Sequence, residues 1–93
     1  MIRIFKDRLG IDGETAIIKG QIKRILTVMP QDGWPTVWYE VSDEGPQKVI
    51  EIVSIGTGWP MDRSVLEEMQ YIGSVIDGGG YVWHYYANEY EEL

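Results

Sequence analysis

The sequence predicts a mainly β protein, a compact antiparallel β-sandwich or partly open barrel of about seven short strands with one short helix. This prediction rests on three observations. Short segments rich in β-branched and aromatic residues alternate between apolar and polar side chains. Clusters of Gly, Pro and Asp separate these segments, and only one segment has a helix-like pattern. The length suits one modest hydrophobic core, so we expect a single domain over residues 1–93.

Two short strand candidates open the chain. Residues 2–5 read Ile-Arg-Ile-Phe, and the run Gly-Ile-Asp-Gly at residues 10–13 breaks that strand. A second, weaker candidate spans residues 15–18 and ends at Gly20.

Residues 23–30 and 35–42 are predicted to form a β-hairpin around which the rest of the chain is built. Residues 31–34, Gln-Asp-Gly-Trp, make its turn, because Gly adopts positive φ readily and Asp can bond its own local backbone. With Pro30 opposite Pro35, one face is apolar and the other half polar, so we expect the apolar face to be buried. The expected pairs are Val28 with Val37, Leu26 with Tyr39, Thr27 with Trp38, and Ile25 with Glu40.

The segment from residue 48 to 55 predicts a central strand that is covered on both faces. Its apolar side chains fall on both sides of an extended chain: Val49, Val53 and Ile55 on one, Ile50 and Ile52 on the other. The run Gly-Thr-Gly-Trp-Pro at residues 56–60 ends this strand.

Residues 62–69 form the helix candidate, of one to two turns. Two starting points fit the sequence. Asp62 can cap the first turn, or Ser64 and Glu67 can form a capping box.

A second hairpin is predicted from residues 71–76 and 81–86, over the turn Asp-Gly-Gly-Gly at residues 77–80. Pairing Ile76 with Tyr81 places Ser74 opposite Trp83, Gly73 opposite His84, and Ile72 opposite Tyr85. We expect residues 87–93 to form a frayed, solvated acidic tail.

The net charge of −7 lies entirely in the second half of the chain. Residues 1–48 carry seven acidic and seven basic residues, whereas residues 49–93 carry eight acidic residues and only Arg63 as a base. Direct binding to nucleic acid is disfavoured, because phosphate contacts need Lys and Arg. The acidic half would steer a basic partner toward the protein, or it serves solubility alone.

The composition excludes further classes of site. The chain has no Cys, so it has no disulfide, thiolate metal site or cysteine nucleophile. No apolar run approaches the roughly 20 residues that span a bilayer, and residues 1–10 lack the apolar core of a signal peptide. We expect a cytoplasmic protein with no membrane contact.

Three blocks of sequence resemble a known family. They are the pattern Gln31-Asp32-Gly33-x-Pro35-x-x-Trp38-x-x-Val41, the pattern Gly56-Thr57-Gly58-x-Pro60, and the run Tyr71-Ile72-Gly73-Ser74-Val75 followed by Gly78-Gly79-Gly80 and Val82-Trp83-His84. Their order and spacing, over about residues 9–86, are similar to a family of small uncharacterised β-rich proteins encoded mainly by bacteriophages and prophages.

That resemblance implies a phage setting, the cytoplasm of an infected or lysogenic bacterium, and a shared fold, but no reaction. The chain departs from the family pattern at Trp59, where the family carries His, so any chemical role of that His is absent here.

The residues themselves do not indicate an enzyme. His84 is the only histidine and has no second His or Cys to complete a metal site. Its ring is expected to shield Gly73 on the neighbouring strand. The glycine runs at residues 56–58 and 78–80 lack the patterns of phosphate-binding loops and are read as turns. No Ser-His-Asp signature occurs, and we expect no cofactor and no metal.

Our first hypothesis is a non-enzymatic protein-interaction module that binds a host protein with a basic surface, and that antagonises a host defence or regulatory factor. Trp34 and Trp59 each precede a proline at a predicted turn, where an indole is available as an interface anchor or folds back over the core. The predicted partner-binding residues are Trp34, Trp59, Asp32, Glu67 and Glu68.

Two alternatives stay open. A small nucleotide-like ligand could bind the loop formed by Gly56, Thr57, Gly58 and Trp59. Alternatively, exposed strand edges could pair copies of the chain into a homo-oligomer, as in a self-assembling structural component of a phage.

Overall fold

The computed structural model describes residues 1–91, and within them the chain forms seven β-strands and one short helix. The elements are β1 (Ile2–Arg8), β2 (Thr15–Gly20), β3 (Ile22–Gln31), β4 (Trp34–Ser42), β5 (Lys48–Gly56), α1 (Arg63–Leu66), β6 (Gln70–Ile76) and β7 (Val82–Glu91). The prediction of a mainly β, sandwich-like fold with one short helix is confirmed.

The strands form two antiparallel sheets, with the orders β1-β4-β3 and β2-β5-β7-β6. The edge strands β3 and β6 pack against each other, but within residues 1–91 no ladder joins the sheets into a closed barrel. Gly73 permits this close approach, because a Cβ there would lie 2.6 Å from Cγ2 of Val28. The strands β1 and β2 are left as the other two edges.

The core lies between the inner faces of the two sheets. It is built from apolar side chains that alternate toward the interior, and a large aliphatic one stabilises the fold by about 1.5–3 kcal/mol when fully buried. They are Leu9, Ile18, Ile22, Val37, Tyr39, Ile50, Ile52, Val75, Trp83, Tyr85 and Ala87.

The first hairpin has the predicted turn and most of the predicted register. Asp32 and Gly33 both have positive φ, 52° and 78°, as a two-residue turn of the I′ type requires. The pairs Pro30–Pro35, Val28–Val37 and Thr27–Trp38 are confirmed.

The predicted register of the hairpin is wrong beyond Thr27, because a bulge at Leu26 shifts the pairing by one residue. Tyr39 therefore lies opposite Ile25 and not Leu26, and Glu40 lies opposite Arg24 and not Ile25. The new neighbours Arg24 and Glu40 form an ion pair of 2.9 Å.

The prediction that residues 48–55 form a doubly covered central strand is confirmed. The strand β5 lies between β2 and β7, with Ile50 and Ile52 buried on the inner face and Val49 and Ile55 buried on the outer face. Val53, between the last two, is only partly buried.

The second hairpin is displaced by one residue from its prediction. Ile76 pairs with Val82 and not with Tyr81, so Gly73 lies opposite Tyr85 and not His84. The reason is the turn: the Asp77 N–H donates to the Tyr81 carbonyl at 2.8 Å, and the Asp77 carboxylate accepts from the Tyr81 N–H at 3.0 Å. These bonds hold Tyr81 in the loop, outside the strand.

The helix α1 is shorter than predicted and starts at the first of the two expected caps. Asp62 is its N-cap, and its side chain accepts a bond from the Ser64 N–H at 3.0 Å. The alternative capping box is wrong, since Glu67 lies at the C-cap.

The predicted frayed tail is wrong for residues 87–91, which continue β7 and pair with β5. Ala87 is buried and the Lys48 ammonium bonds Glu89 at 2.7 Å, which explains the ordered end. The last two positions of that prediction, 92 and 93, lie outside the described residues. Within residues 1–91 no helix has the length and apolar character needed to cross a membrane.

Candidate functional site

Four loops meet at one end of the two sheets. The turn of the first hairpin touches the turn of the second, because the Gly78 N–H donates to the Gly33 carbonyl at 2.8 Å. The loop between β1 and β2 joins them through its backbone carbonyls. Leu9 accepts from the Trp34 indole at 2.8 Å, and Gly10 accepts from the Tyr85 hydroxyl at 2.7 Å.

The fourth loop connects β5 to α1 at residues 57–62. Its Trp59 lies across this end of the core. Its indole covers Gly56, where a Cβ would lie only 2.5 Å from Cε2 of the ring, so a glycine is needed for this placement. The ring meets Trp83 edge to face, with centroids 5.6 Å apart. Trp59 is 43% exposed and is therefore partly available to a ligand.

Asp77 organises the second hairpin turn. One carboxylate oxygen accepts from the Gly79 and Tyr81 N–H groups at 2.9 and 3.0 Å, and the other accepts from Nε1 of Trp83 at 2.8 Å. The bond from Trp83, followed by the backbone bonds, lowers the pKa of Asp77. The carboxylate therefore keeps its negative charge at neutral pH.

Three of these loops border an open recess of about 560 Å³, which we call the aromatic recess. It is lined by Ile11, Asp12, Trp59, Asp77, Gly79, Tyr81 and Trp83. Trp83 forms the floor at 6% exposure, and Tyr81 stands at the rim at 67% exposure. The lining thus contains three aromatic rings and two carboxylates, but no Lys, Arg or His.

The comparison with protein families covers the whole chain, since residues 1–93 match a family described as a domain of unknown function, DUF7352. The protein belongs to the DUF7352 family. The expectation that the chain belongs to a family without an assigned activity is confirmed. Neither a curated protein nor a solved structure matches the chain.

Three of the predicted partner-binding residues lie at the loop end. Trp59 lines the aromatic recess, whereas Trp34 is half buried, with its N–H bonded to Leu9 and the Arg8 guanidinium 5.7 Å from its ring. Asp32 is exposed at the neighbouring turn.

Glu67 and Glu68 are not part of this end. They lie just before the start of β6, and β6 reaches the recess only after Ile76, roughly 20 Å further along the strand. Both side chains are exposed.

The residues of the predicted ligand loop have separate roles in the DUF7352 structure. Gly56 is buried under Trp59. The Thr57 hydroxyl lies 2.7 Å from Nε2 of His84, whose Nδ1 lies 3.2 Å from the Tyr71 hydroxyl. Both ring nitrogens of the single histidine thus have hydroxyl partners, on the outer face of the larger sheet. Gly58 is exposed, with open space around it.

A second recess, of about 530 Å³, opens between β3 and β6. Charged side chains of both signs line it, among them Lys23, Arg24, Glu68 and Glu89. This mixture selects no single class of ligand. No three acidic or histidine side chains of residues 1–91 come together as a metal-binding group.

Sequence patterns alone did not mark Asp12, Asp77, Tyr81 and Trp83 as residues of the site. A signal was present for Asp77, because an Asp that opens a glycine-rich turn often accepts bonds from the turn backbone. The other three are brought to Trp59 only by tertiary packing.

Proposed function

We propose that this protein is a non-catalytic binding module that recognises a basic partner protein, and that the aromatic recess takes up a cationic side chain of that partner. The single observation that carries the proposal is the lining of the recess. It combines the rings of Trp59, Tyr81 and Trp83 with the carboxylates of Asp12 and Asp77, and it contains no base.

Aromatic rings attract ammonium and guanidinium groups through the negative potential of their faces. A cation within about 6 Å of a ring centroid gains roughly 0.5–2 kcal/mol, and Trp is the best of the three ring types. Trp59 and Tyr81 are exposed enough to be reached, and their neighbours hold them in place. Little side-chain entropy is therefore lost on binding.

The carboxylates of Asp12 and Asp77 attract the same cationic group electrostatically. Asp77 keeps its charge because Trp83 and the turn backbone bond the ionised form. Asp12 has positive φ, at 55°, and forms no ion pair within residues 1–91. Neither Asp12 nor Asp77 forms an ion pair within residues 1–91, so a bound cation would give each carboxylate a basic partner.

The charge of the recess supports the first hypothesis over the nucleotide-like ligand. A phosphate at the Gly56–Trp59 loop would approach the carboxylates of the recess, which repel it. The Thr57 hydroxyl, which could have donated to a phosphate, is in contact with His84. The site therefore favours a cation over an anion.

In this proposal, Glu67 and Glu68 attract the basic partner at long range and do not contact it at the recess. With a net charge of −7, the protein attracts a basic partner from a distance and speeds the encounter. Their removal is expected to slow association at low ionic strength, with little effect on dissociation.

The biological setting that we propose is bacteriophage infection, with a defence or regulatory protein of the bacterial cytoplasm as the partner. Its support is the resemblance of the three sequence blocks to phage and prophage proteins.

The test is a titration with a defined cation, monitored through the indole N–H signals in a nitrogen–proton correlation spectrum. The chain has four tryptophans, so four signals report on four places in one experiment. With Nα-acetyl-lysine amide we expect shifts at Trp59 and Trp83, and none at Trp34 and Trp38. Nα-acetyl-norleucine amide, which lacks the charge, is the matched control ligand.

Two variants sharpen the test. Trp59→Ala should abolish the shifts, whereas Trp34→Phe should keep them. A response of all four indoles, or an equal response to the uncharged control, would contradict a cation site in the recess.

A further inference from the structure

The strand β1 (Ile2–Arg8) presents an open edge on the smaller sheet. It pairs with β4 on one side only, and all seven of its residues are exposed. Three are large apolar side chains: Ile2, Ile4 and Phe5, of which Ile4 is 61% exposed. An edge with free N–H and C=O groups and exposed apolar side chains is a ready template for another strand.

The sequence of β1 is complementary to itself about Phe5. If a second β1 runs antiparallel, with Phe5 opposite Phe5, then Arg3 lies opposite Asp7 and Asp7 opposite Arg3. Two ion pairs flank one aromatic pair on the same face of the sheet. Arg3 has no carboxylate partner within residues 1–91, so its charge is available.

We propose that two copies of this chain associate through β1, in this register, so that two three-stranded sheets become one sheet of six strands. This inference goes beyond the binding function proposed above, since no residue of β1 lines the aromatic recess.

The inner face of the merged sheet accommodates this pairing. Phe5 already meets Tyr39 edge to face, with centroids 6.4 Å apart, and the second Phe5 extends this aromatic cluster. The Tyr39 hydroxyl donates to Oδ2 of Asp7 at 2.5 Å, which leaves Oδ1 to accept from the guanidinium of the second copy.

The outer face places Ile4 opposite Lys6, and Ile2 opposite Arg8. Lys and Arg on an edge usually oppose strand pairing. Here the Lys6 ammonium donates to Gln31 at 2.8 Å and the Arg8 guanidinium lies over Trp34, so both charges are engaged within their own molecule. Their aliphatic stems remain to cover the isoleucines.

Other registers are poorer. Both cores lie on one side of the merged sheet only if odd-numbered residues face odd-numbered residues. A shift by two in one direction places Lys6 opposite Lys6, and in the other direction places Arg3 opposite Phe5. Either shift pairs five residues of each strand, whereas the proposed register pairs all seven.

The test is charge complementation between two variants, monitored by sedimentation velocity over a concentration series. Wild type should move from the monomer mass of 10.7 kDa toward twice that value. Arg3→Asp and Asp7→Lys each place like charges opposite one another twice, so each should raise the Kd of the dimer at least tenfold, about 1.4 kcal/mol. An equimolar mixture of the two variants should recover the dimer, because every opposed pair is then complementary.

Arg63→Asp is the matched control, since it makes the same change of charge in α1 and should leave the dimer intact. Near-ultraviolet circular dichroism checks the fold of each variant. Because the chain has no cysteine, a second measurement is available that keeps Arg3 and Asp7 unchanged. Phe5→Cys should form an intermolecular disulfide on mild oxidation, because the proposed register places the two Phe5 positions directly opposite one another, and Ile4→Cys should cross-link much more slowly, because Ile4 lies opposite Lys6.

Three outcomes would overturn the proposal. They are a wild-type monomer at all concentrations up to about 1 mM, a dimer that Arg3→Asp leaves unchanged, and equal cross-linking of the two cysteine variants. The second outcome would assign the contact to another edge of the protein.

Discussion

The Trp83 indole donates a hydrogen bond of 2.8 Å from Nε1 to Oδ2 of Asp77, and this bond fixes the floor of the aromatic recess. The other oxygen of the same carboxylate closes the turn that carries Tyr81. One side chain therefore sets the position of two of the three rings in the recess.

Asp77→Asn should make the stability of the protein less sensitive to acid. The bonds from Trp83 and the turn backbone lower the folded-state pKa of Asp77 below its ordinary value of 3.8. Its contribution to stability is therefore full above pH 3.8 and is lost as pH falls through the lowered value. Urea unfolding of wild type should thus show a steeper loss of stability below that pH than the variant. Asp32→Asn, at the other turn, controls for the loss of one negative charge.

Gly73→Ala should destabilise the protein far more than Gly20→Ala. The two glycines have nearly the same φ, 144° and 143°, so Gly20→Ala controls for the positive φ that an alanine would have to adopt. Only at Gly73 would the new Cβ meet another atom, Cγ2 of Val28 at 2.6 Å. We expect an additional loss of roughly 1–3 kcal/mol in the free energy of unfolding, as for other overpacked sites. Val28→Ala in the Gly73→Ala background should recover part of it, and equal losses at the two glycines would contradict the close packing of β3 on β6.

Gly56→Ala should displace the Trp59 indole. The new Cβ would lie 2.5 Å from the ring, so we expect a loss of roughly 1–3 kcal/mol and a red-shifted tryptophan emission. In the Trp59→Ala background the same substitution should cost much less, because the clashing ring is gone. A double-mutant cycle of urea unfolding measures this coupling. If the two losses simply add, Trp59 does not rest on Gly56.

Tyr85→Phe should lower the free energy of unfolding by about 1 kcal/mol at neutral pH, because the hydroxyl bonds the Gly10 carbonyl. Burial, and next the charge of Asp77, raise the pKa of Tyr85 above its ordinary value of 10.0. The folded protein thus holds this proton more tightly, and the resulting stability is full below pH 10 and lost as pH rises through the raised value. The advantage of wild type over the variant should therefore shrink in alkali. Denaturant unfolding at neutral and alkaline pH checks both statements, with Tyr81→Phe at the exposed rim as the control.

The first hairpin shows how far local patterns reach. Asp32-Gly33 and the flanking prolines predict the turn and the pairs next to it, because these depend on neighbouring residues. The bulge at Leu26 has no such local signal. It keeps Ile25 beside Tyr39 and frees Arg24 to meet Glu40, and both effects arise from packing across the sheet.

Of the three aromatic residues of the candidate site, one was predictable from the sequence. Trp59 follows a glycine loop and precedes a proline, which marks an indole at a turn. Trp83 belongs to a strand and alternates with core residues, so its sequence position indicates burial and not a site. Asp12 comes from a loop more than forty residues earlier, and no local pattern connects it with Trp59.

The bond between the Gly78 N–H and the Gly33 carbonyl links hairpins that are 45 positions apart in the chain. The aromatic recess also combines distant parts of the chain, since Ile11, Asp12 and Trp59 join the second-hairpin residues Asp77, Gly79, Tyr81 and Trp83, so the recess is complete only when the separate loops have come together. Pairing of this kind also makes folding slow compared with helical proteins of the same length. Because the proposed site is complete only in the native state, binding of a cation there should raise the melting temperature of the entire molecule, and a thermal scan would detect the ligand without any label.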